Sequence, residues 1–491
     1  MTSLTADTSG LAGGRSLLPL WVGIVAYALL LIIGNRLLLD PDTLWQITVG
    51  QWIIDHRAVP RVDVYSFTMA GQPWISTQWL AQVLLAASYA LAGWAGPVVL
   101  AAASLALTLA LLARALGARL RDSTTLVFVL AAVMLMVPHM FARPHVLAMP
   151  VMVAWVGGLI AAADRRAAPP LVLLPLMALW ANLHGGFVLG LVLIAPIGLD
   201  AALAAPAPAR RSLLLRWIGF GVLALIASCA NPYGWDALLA SQRILSLGGA
   251  LATIGEWAPT NFSRIGPLEV ALLVGLGLAL WSGVTLPPLR IVMLLGLLHM
   301  ALSATRNLEV LALLAPLILA APLAQRIGRE TAPAAPGARG MVAATLALAI
   351  VGTAALGALH RYAPPQSNAP EAALAALKPL GVQRVFNDYD FGGYLIASGV
   401  PPFIDGRTEL YGERFVVDQH AAVRLRPPET LFRLLDEYKI DATLLRTEDA
   451  ATKLLDHVDG WQKVYSDDVA TIHLRKPGAA HSAEPKVAPG R

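Results

Sequence analysis

From residue 17 onward the chain is a series of apolar runs separated by short polar turns. The runs cover residues 17–39, 97–113, 124–141, 146–163, 171–181, 188–204, 217–230, 267–282, 290–303, 310–324 and 341–359. Several approach the roughly 20 residues that a helix needs to cross a hydrocarbon core of about 30 Å. One more run, 78–95, is apolar but short and stops at Gly96–Pro97. If it crossed as well, Arg114, Arg119 and Arg121 would fall on the wrong side of the membrane. One of the two runs, 78–95 or 97–113, is therefore expected to lie on the surface or to be re-entrant, and 78–94 is the preferred choice.

The turns sort into two groups. Arg15, then Arg114, Arg119 and Arg121, then Asp164–Arg166, then Arg210, Arg211 and Arg216, then Arg326, Arg329 and Arg339 mark one side. The turns DPD, ARPH, NLHGG, NPYG, EW and ATRN mark the other. Positively charged turns favour the cytoplasm. The N-terminus is thus expected inside the inner (cytoplasmic) membrane of a bacterium, and everything beyond residue 361 in the periplasm.

After Tyr362 the period changes. Strand-like RVFNDY and PPFIDGR, a helix-like stretch at 429–439, then DATLLRT and DVATIHLRK alternate as β and α elements do. The expected fold is an α-helical polytopic membrane protein with about 11 spans and a C-terminal extracytoplasmic α/β domain. Residues 1–14 and 477–491 are expected to be disordered ends. Residues 15–361 form the membrane domain, with a first outer loop at 40–79, and residues 362–476 the outer domain. Residues 323–339 read as a linker, and 235–264 as an amphipathic outer stretch.

Composition sharpens this picture. The chain is 57% hydrophobic and 14% charged, with a mean hydropathy of +0.64, whereas a soluble chain carries about 25% charged residues. The net charge of +5 sets topology and does not point to nucleic acid. Cys229 is the one cysteine, which rules out an internal disulfide and a multi-cysteine metal site.

The candidate chemistry gathers in the first outer loop, DPDTLWQITVGQWIIDHRAVPRVDVYSFTMAGQPWISTQW. Asp40 and Asp42 stand two apart and cannot share a helix face, and Pro41 fixes the turn between them. Either Asp42 caps a helix over 43–55, or it faces a ligand while Asp40 takes the cap. Asp63 is a third carboxylate further on.

The string Asp42, Trp45, Gly50, Pro60, Asp63 resembles the first outer loop of the GT-C glycosyltransferases, multi-span enzymes that take a sugar from a polyprenyl-phosphate carrier. With SFT, GQPW and QWL at 66–80, RPH, NLHGG, NPYG, NDYDFGGYL and FIDGR, the chain is similar to a bacterial branch of GT-C-like proteins along most of its length. The resemblance implies a catalytic carboxylate at Asp42, the base that takes the acceptor's proton. Asp40, Trp45 and Asp63 would sit beside it. Gln46 stands where many relatives carry His, and it cannot accept a proton.

Cations must hold the departing phosphate. Arg143, His145, His184 and Arg306 are the candidates, Arg in bidentate fashion. Each has a plainer reading: Arg143 as a snorkelling interface residue, His184 as a partner for a neighbouring helix. Glu256 and Trp257 either orient a sugar or anchor the interface, and 231–234 reads as a turn. In the outer domain Asn387, Asp388, Asp390, Asp405, Arg407 and Tyr411 either help bind the acceptor or form ordinary turns. Asp40, Asp42, Asp63 and Glu256 are a possible oxygen-rich set for Mg²⁺ or Mn²⁺. The implied partners are a polyprenyl-phosphate-linked sugar, membrane lipid and an envelope acceptor that is a lipid, a glycan or a protein. The rival readings are a lipid-linked sugar transporter and a non-catalytic subunit of polysaccharide assembly.

Overall fold

The computed structural model of the chain describes residues 16–245, 255–327 and 338–476. The expected disordered ends, most of the 323–339 linker and part of the 235–264 stretch lie outside these residues. Among the described residues the chain forms two compact units. One comprises the residues up to Leu37 with Ala92–Ala237 and Glu256–Tyr362. The other comprises Leu38–Leu91, Leu238–Gly255 and the chain from Ala363 onward.

The first unit is helical, and its apolar runs become helices with little displacement. Among the described residues six are long and apolar enough to cross a membrane: Ala95–Gly117, Asp122–His139, Pro144–Asp164, Phe187–Ala204, Ala207–Ser228 and Thr305–Ile327. Shorter apolar helices run over Leu18–Ile32, Leu171–Leu183, Pro267–Ser282 and Pro288–Ser303. The helix before NPYG begins at Ala207, ten residues ahead of the expected run, so Arg210, Arg211 and Arg216 ride on it and not in a turn. Pro206 ahead of it and Pro at its second position explain the early start, because proline's fixed φ suits a first helical turn.

Pro144–Asp164 is the central helix, buried along most of its length. Ala95–Gly117 and Leu174–Leu183 pack against it. Several polar groups inside this unit are paired. Ser104 Oγ donates to the Val146 carbonyl at 2.9 Å, and Trp155 Nε1 to that of Gly190 at 3.0 Å. At the end of the central helix Asp164 takes hydrogen bonds from Arg119 and Arg290, and Arg290 Nε also reaches Asp200 at 3.0 Å. The Asp164–Arg166 turn thus anchors a buried ion network as well as carrying positive charge.

The second unit contains a regrouping that the sequence pattern did not convey. Residues 40–79, expected with the spans, pack with the C-terminal domain. That domain has a four-stranded sheet of β1 (Val385–Asn387), β2 (Ala442–Arg446), β3 (Trp461–Ser466) and β4 (Ala470–Arg475), in the order β1-β2-β4-β3. The β1–β2 pair is parallel and the other pairs are antiparallel. PPFIDGR is not a strand beyond a single bridge from Val385 to Pro402. Asn387 holds it instead: its Oδ1 accepts from the Phe403 N–H at 2.7 Å, and its Nδ2 donates to the Ile404 carbonyl at 2.8 Å. Asn387 is therefore a buried brace with no side-chain capacity left for a ligand.

The helices Asp42–His56 and Trp79–Ala92 lie in the same unit. They cross at Gly50, where an added Cβ would stand 2.0 Å from the Gln82 carbonyl oxygen. Gln82 Nε2 donates to Gln46 Oε1 at 2.8 Å, and Ser76 Oγ to Gln82 Oε1 at 2.8 Å. Gln46 thus joins two helices through a buried amide pair. At 14 residues, Trp79–Ala92 is about 21 Å long at 1.5 Å per residue, short of a full crossing.

Candidate active site

Pro41 opens the Asp42–His56 helix, and the Asp42 N–H donates to Asp40 Oδ1 at 2.9 Å. Asp40 therefore does the capping work that one reading gave to Asp42. The Asp42 carboxylate turns the other way, accepting from Trp45 Nε1 at 2.9 Å. Trp45 is buried with Val49, Ile53, Trp74 and Ile396. Two glycines of the C-terminal domain let its backbone come up to this helix end. A Cβ on Gly406 would lie 1.9 Å from Asp42 Oδ1, and one on Gly393 would lie 2.6 Å from the Pro41 carbonyl. The GGY and DGR motifs thus mark where the C-terminal domain meets the DPD turn.

Asp63 is engaged elsewhere. Its Oδ1 accepts from Arg407 Nη1 at 2.6 Å and its Oδ2 from Ser66 Oγ at 2.6 Å. Arg407 also binds Asp405 through Nε at 2.8 Å and Nη2 at 2.7 Å, and Tyr411 Oη donates to Asp405 at 2.6 Å. Both arginine ion pairs are wholly out of solvent. Burial alone would lower the Arg407 pKa, but Asp405 and then Asp63 outweigh it and hold the guanidinium charged. Asp63, Asp405, Arg407 and Tyr411, singled out as ligand candidates, are instead the lock between the first loop and the C-terminal domain. Buried charges persist only when paired and hydrogen-bonded.

In the helical unit four of the motif turns converge. Glu256 sits between two guanidiniums, with Oε2 2.8 Å from Arg143 Nη1 and Oε1 3.1 Å from Arg306 Nη1. The Arg306 guanidinium lies 4.1 Å from the centre of the Trp257 ring, a cation–π contact. The Thr305 side chain donates to the Glu256 carbonyl at 3.0 Å. Burial would raise the Glu256 carboxyl, but Arg143 and then Arg306 prevail and bring it to about 2. Glu256 is thus the counter-ion of the arginine pair and not an interfacial anchor. Arg143 is an ion-pair partner and not a snorkelling residue.

His145 and His184 stand beside this cluster with ring centres 6.2 Å apart. Burial, reinforced by Arg306 and Arg143, lowers the His184 pKa to about 3, so its ring is neutral. His184 Nδ1 accepts from the Gly186 N–H at 3.1 Å, which leaves the proton on Nε2 as a donor. His145 Nε2 meets the His139 carbonyl at 3.1 Å and lies 3.5 Å from Glu309 Oε2. Glu309 was not foreseen. It is buried, and its Oε2 has no hydrogen-bond partner. A lone carboxylate opening an apolar helix was the available signal.

The expected oxygen-rich metal set does not assemble as read. Asp63 is neutralised by Arg407 and Glu256 by the arginine pair. Among the described residues no three His, Cys, Asp or Glu side chains are grouped to hold a metal ion. The 231–234 segment is a turn, with Asn231 Oδ1 accepting from the Tyr233 N–H at 2.8 Å. Asp388 and Asp390 line a cavity together with Arg446, His420 and Gly255.

The described chain thus combines a helical unit, six of whose helices are long and apolar enough to cross a membrane, with a C-terminal α/β domain and a cationic cluster built from turns far apart in sequence. Solved structures share features of this fold. The archaeal oligosaccharyltransferase AglB from Archaeoglobus fulgidus, solved with an inhibitory peptide and a dolichol-phosphate, superposes with a TM-score of 0.51 at 12% identity, over 88% of this chain and 69% of that one. ArnT from Cupriavidus metallidurans, bound to undecaprenyl phosphate, aligns over 96% of this chain and 99% of that one at 15% identity, with a TM-score of 0.32. No protein-family model and no curated protein matches the sequence.

Proposed function

We propose that this protein is a glycosyltransferase that moves a sugar from a polyprenyl-phosphate donor to an envelope acceptor at the outer face of the inner membrane. One observation carries the reading: a carboxylate bridging two guanidiniums, in a fold like that of a transferase solved with a dolichol-phosphate. Arg143 and Arg306 present to Glu256 what they would present to a donor phosphate, whose greater charge and additional oxygens compete for the same N–H groups. The neutral His184 adds an uncharged donor. Asp42, relieved of capping by Asp40, is the base in this proposal. It takes the proton of the acceptor hydroxyl as that oxygen bonds to the anomeric carbon and the bond to the phosphate oxygen breaks. One displacement with one base inverts the configuration.

The reading is tested by undecaprenyl phosphate binding to the purified protein. Arg143→Ala and Arg306→Ala should each weaken binding by about 10-fold or more, since a hydrogen bond to a charged group is worth about 1.5–3 kcal/mol. Unchanged affinity in both variants would remove the phosphate site and the reading with it.

A further inference from the structure

We propose that the C-terminal domain carries a saccharide-binding site, in the cavity between the turn after β1, the end of β2 and the helix Thr408–Arg424, with Gly255 completing the wall. The cavity is about 300 Å³, at the small end of ligand sites and enough for one or two sugar rings. Asp388, Asp390 and Asp449 line it with Arg446, and His420 and Arg424 line it from the helix. Val423 is the one aliphatic side chain in the wall.

This wall selects by chemistry. Its polar and apolar surfaces are of similar extent, which suits the hydroxyl edge and C–H faces of a sugar ring more than the uniformly apolar surface a lipid tail buries against. The acidic groups disfavour a phosphate, and two guanidiniums oppose a lone cation. A ring carrying hydroxyls both donates and accepts around its edge, so it can use carboxylates and guanidiniums together. The groups are held in advance. Arg446 Nη2 lies 2.8 Å from Asp390 Oδ2, and its Nε 3.3 Å from Asp388 Oδ1. Asp388 Oδ1 also accepts the Asp390 N–H at 3.1 Å. The Tyr389 and His420 rings stand 5.4 Å apart at the cavity edge, and Tyr389 Oη is tied to Thr408 Oγ1 at 2.8 Å.

That the saccharide is the acceptor of the transfer rests on the function proposed above; that the cavity binds a saccharide does not. The test uses the full-length protein in detergent, with neutral and amino-sugar oligosaccharides of two to four residues as probes and saturation-transfer NMR as the readout. At least one probe should bind. Asp390→Asn and Arg424→Ala, both on partly or fully exposed side chains and so compatible with folding, should each weaken that binding by about 10-fold without lowering Tm. Binding of none of the probes, or equal binding by both variants, would overturn the site. So would displacement of the bound probe by inorganic phosphate, which would make the cavity an anion site. Undecaprenyl phosphate binding, measured in parallel on the unaltered protein, reports on the transferase reading separately. Either arm can fail while the other stands.

Discussion

Arg407 shows what a single residue decides in this chain. It satisfies Asp63 and Asp405 together in a solvent-free space, so removing it strands two carboxylates. Arg407→Met should destabilise the C-terminal domain by about 3–5 kcal/mol, the usual result of breaking one side of a buried ion pair. Thermal unfolding checks it, and a loss under ~1 kcal/mol would class the pair with exposed salt bridges. Asp388 works in the opposite sense. Burial, with Asp390 next to it, raises its pKa from 3.8 to about 7, although Arg446 lowers it. The contribution of its neutral form to stability is complete below the unfolded pKa and is lost as pH rises through the folded one. Tm should therefore fall more steeply between pH 5 and 8 in the native protein than in Asp388→Asn. His184, whose pKa is depressed, works against this fall in both proteins, and the comparison removes it. Parallel Tm curves for the two proteins would contradict the shift.

Among the elements, the pair Asp42–His56 and Trp79–Ala92 governs how the DPD turn is presented. Close packing at Gly50 sets their crossing, because the Gln82 carbonyl fills the space a side chain would need. Gly50→Ala should lower stability by about 1–3 kcal/mol through overpacking against rigid backbone. Thermal melts of the full chain read this directly, and an unchanged Tm would mean that the two helices separate freely. The Gln46–Gln82 amide pair lies in the same contact. The residue that looked like a damaged catalytic position is an inter-helix tie.

For the whole molecule, the expectation concerns turnover. With Asp40 supplying the cap, Asp42→Asn preserves the shape of the helix end and removes the proton acceptor. Transfer from a purified polyprenyl-phosphate sugar should fall by about 10²-fold or more, the usual share of a general base, with expression and Tm unchanged. Near-native turnover would return Asp42 to the structural partner of Trp45 alone.

The sequence alone determined the membrane character, the helices of the first unit and the α/β nature of the C-terminal region. Those depend on the local spacing of apolar residues and on composition, which a linear reading records. It also located the turns that carry Arg143, His145, His184, Glu256 and Arg306, because charge is conspicuous in an apolar chain. Their pairing was not visible. Nothing near Glu256 in the chain reveals that two guanidiniums from distant turns will neutralise it. Nor does any local pattern separate Asp63, locked to Arg407 across more than three hundred positions, from Asp42, which meets Trp45 three residues away. Both are carboxylates in one polar loop, with similar neighbours in sequence. Only the tertiary structure decides which carboxylate is spent on holding the fold, because an ion pair depends on distance in space, and folding, not sequence separation, sets that distance.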